Sequence, residues 1–311
     1  MTITAKVICD SSSDSCRRRI TTMELKYPRF IHSEFMTHRV FSRNASSSRA
    51  IPVARQIEMI KEDPAMPIHW GKNQPGMQAK EENTALVDMS WRDDCAAYEC
   101  DAESAWLTAM DYAISVATAL NNAGYHKQIV NRILEPFTHI KVIVTATDFA
   151  NFFALRDHPD AQPEIRELAR VMKEAMTTST PQVLKEGDWH LPYLDAEDLS
   201  NIYEYLKKGR IIRDEPSGVD TRMMACAISA ARCARVSYLT HDGERPTIEK
   251  DMELYHHLVH ANPPHMSPCE HQASPDKLSP GLADWARADQ HGNFTGWIQF
   301  RHLIKGESVY G

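Results

Sequence analysis

The stretch PRFIHSEFMTHRVFSRNASSSRAIP occupies residues 28–52 and mixes apolar residues with basic and hydroxyl-bearing ones. Among its polar members are His38, Arg39, Arg43, Arg49, Ser42 and the serine run 46–48. Guanidinium groups form forked hydrogen bonds to phosphate oxygens, and serine hydroxyls and turn amides add short neutral donors. The stretch therefore predicts an anion site. The alternative interpretation is an N-capping serine run beside arginines that lie in solvent.

Composition limits the class of protein without choosing a function. The chain has 311 residues, of which 42% are hydrophobic, and this is enough for one large or two modest domains. A formal net charge of −7 argues against a general nucleic-acid binder, because such proteins usually carry net positive charge or a basic stripe. Local positive charge suits a small anionic ligand better, so we expect no stable nucleic-acid partner.

Cysteine usage and the distribution of apolar residues bear on the compartment. The seven cysteines form no Cys-x-x-Cys pair and have no histidines at zinc-finger spacing. Their odd number favours a reducing cytoplasm. Residues 1–20 are polar and basic, and no apolar run is long enough to span a bilayer. We expect a cytoplasmic protein with no bound metal, no signal peptide and no membrane association.

Hydrophobic periodicity predicts helical and strand segments that alternate along the chain. The predicted strands are Thr2–Cys9, Leu25–Phe30, the β-branched run Ile140–Ala146, and Phe294–Leu303 as a closing strand. The stretch after Phe30 is expected to turn helical. The other predicted helices are Pro52–Lys61, Asp101–Leu134 with Gly124 as a point of interruption, Asp148–Leu155, Pro163–Met176, Arg222–Val236 and Ile248–Val259. Residues 63–82 are rich in Pro, Gly, Asn and Gln, and this predicts a loop.

The opening stretch resembles the signature of flavin-dependent thymidylate synthases, the thymidylate synthase complementing protein family. That signature is Arg-His-Arg, seven further residues, a Ser, and an Arg two places later. Here Thr37-His38-Arg39 occupies the triplet, and Ser47 and Arg49 follow at the family spacing. Thr37 stands where the family usually has Arg. Glu34 stands where a Gln usually precedes the triplet.

A second block, His126–Pro136, is similar to a family segment whose Arg binds the nucleotide phosphate. Arg132 matches that position, although Glu135 is inserted into the ending of the segment. The alternative is that Arg132, close to a helix-ending proline, simply interacts favourably with the helix dipole.

A third block, Asn151–Arg166, resembles an Asn-x-x-x-Leu-Arg segment followed by His-Ala-Gln and x-Glu-Ile. Asn151 and Arg156 match in type and spacing, whereas Asp160 replaces the His. The resemblance implies that Asn151 touches the flavin. It also implies that Arg156 orients the pyrimidine by donating to the carbonyl that gains negative charge. The alternative is that Asn151 caps a helix and Arg156 pairs with Asp157 or Asp160. Upstream, Thr145 and Thr147 stand where many members carry Asn and Arg.

A fourth block resembles the segment that opens most members of the family. It comprises Ala234–Tyr238, a helix containing Leu254, Tyr255 and Leu258, and residues 265–271. In this chain the block follows the other motifs, so the motif order resembles a circular permutation of the family order. The resemblance places Glu270 and His271 at the flavin. A metal site built from these two residues and His265 is the weaker alternative.

The resemblance implies an α/β fold with a central mixed or antiparallel sheet flanked by long helices. We expect a single catalytic domain over 1–311 with insertions at 63–100 and 181–221, assembled as a homotetramer with shared active sites. The residues implied to bind the nucleotide are Ser47, Arg49, Arg132 and Arg156, with Arg156 as the catalytic residue. Those implied to bind the flavin are His38, Arg39, Asn151, Glu270 and His271.

The implied reaction converts dUMP to dTMP. FAD in its reduced form supplies a hydride, 5,10-methylenetetrahydrofolate supplies the one-carbon unit, and NADPH reduces the flavin again. This route needs no cysteine nucleophile, which agrees with the unremarkable settings of the cysteines. Two alternatives remain open: a pyrimidine-nucleotide hydroxymethylase on the same fold, and a non-catalytic nucleotide- or RNA-binding module.

Overall fold

The computed structural model describes residues 2–90, 98–209, 218–236, 246–279 and 284–306. The strands are β1 Thr4–Ser13, β2 Arg18–Pro28, β3 Ser42–Ala45, β4 Val87–Asp88, β5 Glu99–Cys100, β6 His139–Ala146, β7 Gln182–Val183, β8 Ala273–Pro275 and β9 Trp297–Gln299. The helices are α1 His32–Phe35, α2 Val53–Glu62, α3 Ala102–Asn122, α4 Lys127–Leu134, α5 Ala150–Arg156, α6 Pro163–Thr178, α7 Ala196–Gly209, α8 Gly218–Arg235 and α9 Ile248–Val259. This is the expected α/β architecture.

The central sheet has five strands in the order β3-β6-β2-β1-β7. All neighbours pair antiparallel except β1 and β7, which pair parallel, so the sheet is mixed. β6 lies between β3 and β2, and its β-branched residues suit a strand with both faces covered. The predicted strand Ile140–Ala146 is confirmed, with one more residue at its start.

One face of the sheet packs against α6. Alternate residues of β2 and β6 point to this face, because side chains alternate along a strand. The fully buried residues of this core are Met23, Leu25, Tyr27, Ile140, Val142, Val144, Ile165, Leu168 and Met172, among others. The α6 helix begins at Pro163, which suits the first helical turn, and its apolar stripe covers the sheet.

The other face of the sheet is covered by the C-terminal part of the chain. His190 bonds to Thr22 of β2, and His271 bonds to Thr145 of β6. The 3-10 turn Ser267–Glu270 packs beside β3. The fourth sequence block therefore lies over β6 and beside β3, the strand that lies within the first block.

Gly124 interrupts the long helix that the sequence predicts over Asp101–Leu134. Its φ of +85° is the left-handed conformation that favours glycine. The amide of Tyr125 donates to the carbonyl of Leu120 and that of Gly124 to Asn121, the two bonds of a Schellman ending. Two helices, α3 and α4, result, and they pack against each other through Ile114, Val130 and neighbours.

The expectation that the stretch after Phe30 is helical is wrong for most of its length. Only the four-residue α1 is α-helical, and residues 42–45 form β3 instead. β3 pairs antiparallel with β6, and the free edge of β6 outweighs the weak strand propensity of Ser-Arg-Asn-Ala. Ser42 and Asn44 are buried, while Arg43 and Ala45 are partly exposed.

The predicted closing strand Phe294–Leu303 is mostly wrong. Only Trp297–Gln299 is a strand, paired with β8, and Phe300–Leu303 forms a 3-10 turn. The ring of Phe300 packs among Cys226, Met266 and Cys269 in a cluster below α8. This local packing explains why the chain turns at Phe300 and does not extend β9.

Buried ion pairs join α7, α8 and α9. Arg232 of α8 donates to both carboxylate oxygens of Asp198 in α7 at 2.8 and 2.9 Å, and its Nε donates to Asp251 in α9 at 3.0 Å. Arg235 donates to the same Asp251 at 2.9 Å. Asp251 is fully buried, so its charge depends on these two guanidinium groups.

The helices of the described ranges include none with the length and apolar character needed to cross a membrane. Residues Ser237 and Tyr238 of the fourth sequence block and Cys95 lie outside the described residues.

Candidate functional site

The strand β3 separates the signature into two groups of side chains. His38 and Arg39 precede the strand, and Ser47 and Arg49 follow it. Four extended residues span about 13 Å, so the two groups lie near opposite ends of β3. The signature therefore forms two separate groups of side chains.

The first group is centred on Arg156 at the end of α5. Its Nε donates to Nε2 of His38 at 3.0 Å, and its Nη1 forms an ion pair with the carboxylate of Glu34. Within the described residues, no hydrogen bond engages Nη2 of Arg156. The guanidinium group is therefore fixed by two of its nitrogens and has a third free for a ligand.

His38 is buried beneath Arg156 and is held by aromatic rings. Its ring meets Phe152 edge-on at 4.8 Å between centroids and stacks near Phe41 at 5.9 Å. Burial, together with the nearby charges of Arg156 and Arg43, lowers the pKa of His38. Because Nε2 accepts a bond from Arg156, the proton of the neutral ring lies on Nδ1.

Arg43 and Glu270 lie beside this group. Nη1 of Arg43 donates to the carbonyls of Met36 and His38, both at 3.0 Å, and so ends the short α1 turn. Burial lowers the pKa of Arg43, and the carboxylate of Glu270 acts in the opposite direction. Glu270 itself forms an ion pair with Arg301. These contacts bring the fourth sequence block to the first.

Thr37, which stands where the family signature usually has Arg, has a local structural role. Its hydroxyl donates to the carbonyl of Glu34 at 2.8 Å, so at this position the side chain ends a helical turn. The side chain is exposed. The cation at the end of α1 is Arg43, which donates to the carbonyl of Met36.

His271 is fully buried on the second face of the sheet. Its Nδ1 lies 2.8 Å from Oγ1 of Thr145. Burial lowers the pKa of His271 to about 3, so the ring is neutral at physiological pH. Its Nε2 has no hydrogen-bond partner among the described residues. A buried polar atom without a partner is uncommon in native proteins and indicates a missing ligand or water.

The second group surrounds the turn at residues 46–51. The amide of Asn131 donates to the carbonyls of Ser48 and Ile51 at 2.7 and 2.9 Å, and Lys127 donates to Ala50 at 3.0 Å. The α4 helix thus fixes the conformation of the serine run. Arg132, the next residue of the same helix after Asn131, lies close to the run, because it and Ser48 both donate to Glu135.

Glu135 occupies the centre of this second group. It accepts bonds from Ser48 Oγ at 2.7 Å and from Arg132 Nη1 at 2.9 Å, and Arg29 lies 4.0 Å away. Two donors and a third positive charge therefore converge on one carboxylate. Since carboxylate and phosphate oxygens accept the same forked bonds, the position that Glu135 fills is suited to an anion.

The remaining predicted site residues are solvent-facing. Arg39, Arg49 and Asn151 are exposed, and Ser47 is partly exposed. Asn151 does not cap α5, because Asp148 accepts the amide of Ala150 at 2.8 Å. Arg156 does not pair with Asp157, which instead pairs with Lys173. In the described residues Asp160 pairs with His158, and Arg156 pairs with Glu34, so the specific contacts of that alternative are not formed.

The metal alternative finds no support in the described part of the chain, which contains no group of three or more His, Cys, Asp and Glu side chains able to hold an ion. Glu270 pairs with Arg301, and His271 bonds to Thr145.

Sequence reasoning included Arg43 in the predicted anion site without giving it a role, and it missed Arg29 and Arg301 as members of the two groups. Arg29 and Arg43 are in the opening stretch, but only the fold shows which carbonyl and carboxylate each one contacts. Arg301 has no motif around it. The one signal for its position is Glu270, whose charge requires a partner when it is partly buried; in the structure that partner is Arg301.

The sequence profile of the thymidylate synthase complementing protein family matches residues 19–182, just over half of the chain. The chain belongs to this family. The match includes β2, β3, β6 and α6, and thus both groups around β3. Glu270 and His271 lie outside it, so the permuted motif order stays a prediction.

The solved structures that are similar to this chain include the following two. Both are crystal structures of the UMP/dUMP methylase PolB from Streptomyces cacaoi, one bound with 5-Br UMP and the other with 5-Br dUMP. Each is 18% identical over 57% of this chain, covering 89% and 90% of the solved chain, with TM-scores of 0.41 and 0.39. A comparison with curated proteins finds no match.

The cysteines are poorly suited to attack a pyrimidine. Burial raises the pKa of Cys9 to about 11 and that of Cys269 to about 12. Burial also raises the pKa of Cys16, and it raises the pKa values of Cys226 and Cys233 well above the usual value. The thiolate is the nucleophilic form, so these five thiols are inert at neutral pH.

Proposed function

We propose that this protein is a flavin-dependent thymidylate synthase, which converts dUMP to dTMP with 5,10-methylenetetrahydrofolate as one-carbon donor. The observation that most supports this is the fixed guanidinium of Arg156, beside a neutral His38 and with Nη2 free. Arg156 holds the pyrimidine and stabilises the negative charge that develops on its carbonyl oxygen. Preorganisation by Glu34 and His38 means that little reorganisation is needed during the reaction.

The second group binds the nucleotide phosphate in this proposal. Ser47, Arg49 and Arg132 surround a turn whose backbone is fixed by Asn131. Glu135 now takes the bonds of Arg132 and Ser48. We infer that the phosphate displaces this carboxylate from Arg132. Binding is then weaker than in a site without the competing charge, because the ion pair must open first.

The residues present fit a flavin. Asn151 offers both a donor and acceptor, as the polar edge of a flavin ring requires, and it neighbours Phe152, which packs on His38. Arg39 is an exposed cation suited to the cofactor's phosphates. Among the described residues, His271 Nε2 is one of six buried side-chain atoms without a hydrogen-bond partner, and Glu270 precedes it in the chain. When bound, reduced FAD supplies the hydride, and NADPH reduces the oxidised flavin again.

His38 and His271 act from beneath the ligands in this proposal. Both are buried, so His38 orients Arg156 and His271 offers Nε2 only to a group that reaches below the surface. Arg39, Asn151 and Glu270 then make the outer contacts with the cofactor. Because Arg39, Arg49 and Asn151 are exposed on one chain, we also propose that a second copy completes the site, within a homotetramer.

The absorbance spectrum of the purified protein, with and without dUMP, tests the cofactor assignment. We expect a bound flavin that bleaches on addition of NADPH and a spectral change when dUMP is added. Protein that neither carries flavin nor takes it up when FAD is supplied would contradict the enzyme assignment. It would favour a nucleotide-binding module without turnover.

Arg49→Ala and Arg132→Ala should each weaken dUMP binding. Loss of one charge-assisted phosphate contact costs about 1.5 to 3 kcal/mol, which is roughly tenfold to more than a hundredfold in Kd. Isothermal titration of dUMP measures the effect. Arg170→Ala is the matched control, because within the described part of the chain Arg170 pairs with Glu167 and Glu174 on the exposed side of α6.

Glu135→Gln provides the opposite sign in the same titration. It removes the carboxylate that competes for Arg132, so dUMP should bind more tightly than to the unsubstituted protein. Unchanged affinity in both arginine variants would refute the phosphate assignment. Weaker dUMP binding by Glu135→Gln than by the unsubstituted protein would refute the displacement of Glu135.

Alkylation should leave turnover unchanged. The five described thiols with raised pKa values react slowly with iodoacetamide at neutral pH, because little thiolate is present. Turnover is measured before and after treatment, and modified cysteines are mapped by mass spectrometry. Complete inactivation that dUMP prevents would instead indicate a cysteine nucleophile, and the mapping would identify it.

A further inference from the structure

A row of four side chains crosses the sheet on the face that the C-terminal part of the chain covers. Nδ1 of His271 lies 2.8 Å from Oγ1 of Thr145, and this oxygen lies 2.7 Å from Oγ1 of Thr22. Oγ1 of Thr22 lies 2.7 Å from Nε2 of His190. Thr22 and Thr145 are directly paired residues of β2 and β6, so the sheet itself brings the hydroxyls together.

All four side chains are fully buried. In the described ranges, neither threonine hydroxyl makes a hydrogen bond outside this row. Water does not reach the row from the surface, and each polar atom must be satisfied by its neighbours. The number of protons in the row is therefore constrained.

The row has three hydrogen bonds between its four members. A hydroxyl group carries one proton, so the two threonines supply two of the three protons needed. One terminal ring nitrogen must supply the third. With two ring protons, one proton would point at no acceptor, and with none, one bond would lack its proton.

Because both rings are neutral, this proton count links the tautomer of His190 to that of His271. Burial lowers the pKa of both His190 and His271 to about 3, so each ring has a single N–H at physiological pH. If Nε2 of His190 donates, Nδ1 of His271 accepts and the His271 proton lies on Nε2. If Nδ1 of His271 donates, Nε2 of His190 accepts and the His190 proton lies on Nδ1. The two rings thus share one tautomer.

We propose that Thr22 and Thr145 lock the ring tautomer of His271 to that of His190, so that His190, Thr22 and Thr145 are positioning residues for His271. The distant end of the row lies at a cavity of about 600 Å³ that Cys9 and Ser11 help to line. Nδ1 of His190 is 2.9 Å from Oγ of Ser11 and 3.3 Å from Sγ of Cys9. Whether Nε2 of His271 donates or accepts is then decided together with the bonding at this cavity.

A change of tautomer moves one proton along the row. Starting with both rings protonated on Nε2, His271 gives its Nε2 proton to a bound acceptor and takes the Thr145 proton on Nδ1. Thr145 takes the proton of Thr22, and Thr22 takes the Nε2 proton of His190. Nδ1 of His190 takes a proton from solvent in the cavity through the Ser11 hydroxyl. The row stays neutral, and one proton has passed from the cavity to the acceptor.

Nitrogen NMR of the purified protein labelled with [15N]histidine tests the lock, because ring nitrogen shifts and couplings report which nitrogen bears the proton. His190→Gln and His271→Gln assign the signals by their disappearance. We expect His190 and His271 to have the same tautomer in the unsubstituted protein. Opposite tautomers there would overturn the proposal. No substrate or cofactor is needed, so this result is independent of the proposed function.

Thr22→Val gives the sharper result, because valine keeps the shape of threonine and removes the hydroxyl. Thr145 must then donate to Nδ1 of His271, whose proton lies on Nε2. His190 loses its partner at Nε2 and donates from Nδ1 to Ser11. The two rings should therefore have opposite tautomers in Thr22→Val, so one ring switches. Both rings remaining as in the unsubstituted protein would contradict the lock.

Two further variants complete the experiment. In Thr145→Val, Thr22 must donate to Nε2 of His190, so the His190 proton should lie on Nδ1, and a proton on Nε2 would overturn the proposal. Thr21→Val is the matched control, since Thr21 is the next residue of β2 and its hydroxyl donates to Asp10 at 3.1 Å on the other face. It should leave both tautomers unchanged. A tautomer change equal to that of Thr22→Val would point to general disturbance of the sheet.

Discussion

Asp251→Ala should lower the free energy of unfolding by about 3 to 5 kcal/mol, the usual cost of removing one member of a buried ion pair. Asp251 is fully buried, and it accepts bonds from Arg232 and Arg235. The alanine variant leaves two largely buried guanidinium groups without that carboxylate. Arg232 keeps Asp198, so Arg235 bears most of the loss.

Urea denaturation of the purified variants measures this effect. Glu253→Ala is the control, because Glu253 is exposed on the same helix and its loss should change stability by less than about 0.5 kcal/mol. Asp251→Asn keeps the shape and removes the charge, and it should be intermediate. Asp251→Ala as stable as Glu253→Ala would show that the network does not join α7, α8 and α9 energetically.

Arg156→Met should lower kcat by about a hundredfold to a thousandfold, the typical loss when one preorganised donor to a developing oxyanion is removed. Methionine fills much of the volume of the arginine stem without its charge. Arg156→Lys should recover little of the loss, because an ammonium group cannot bond to His38, Glu34 and a ligand in the geometry of the guanidinium fork.

Steady-state kinetics with dUMP, beside the free energy of unfolding, separate catalysis from folding. Glu34→Gln restores the residue that the family usually has and should stay within about tenfold of the unsubstituted kcat, since an amide oxygen still accepts from Arg156. Arg170→Met controls for loss of a surface arginine. A kcat for Arg156→Met within tenfold of the control would remove Arg156 from the catalytic role.

Part of the sheet could be predicted from local sequence. The β-branched run Ile140–Ala146 predicted β6, because such residues fit a strand with two covered faces. Gly124 predicted the end of α3, because its backbone conformation is one that other residues rarely adopt. β3 could not be predicted, since Ser-Arg-Asn-Ala has no strand pattern and forms a strand only where β6 offers a free edge.

The candidate site was predicted as a set of motifs but not as an arrangement. Matching spacing brought His38 and Arg156 into one proposal. Their hydrogen bond, however, joins residues 118 positions apart, and the role of Glu34 depends on it. The ion pair of Glu135 with Arg132 was easier to predict, because it joins residues only three positions apart at the end of α4. The tautomer row could not be found from sequence, because it requires two paired strands and two histidines from the C-terminal part.

The product formed from dUMP tests the central claim most directly. The purified protein is supplied with FAD, NADPH and isotope-labelled 5,10-methylenetetrahydrofolate, and the nucleotides are analysed by mass spectrometry. We expect labelled dTMP as the product, with its formation dependent on flavin. A labelled hydroxymethyl nucleotide would instead show that water traps the exocyclic methylene, and the absence of any labelled nucleotide would contradict the assignment as a thymidylate synthase.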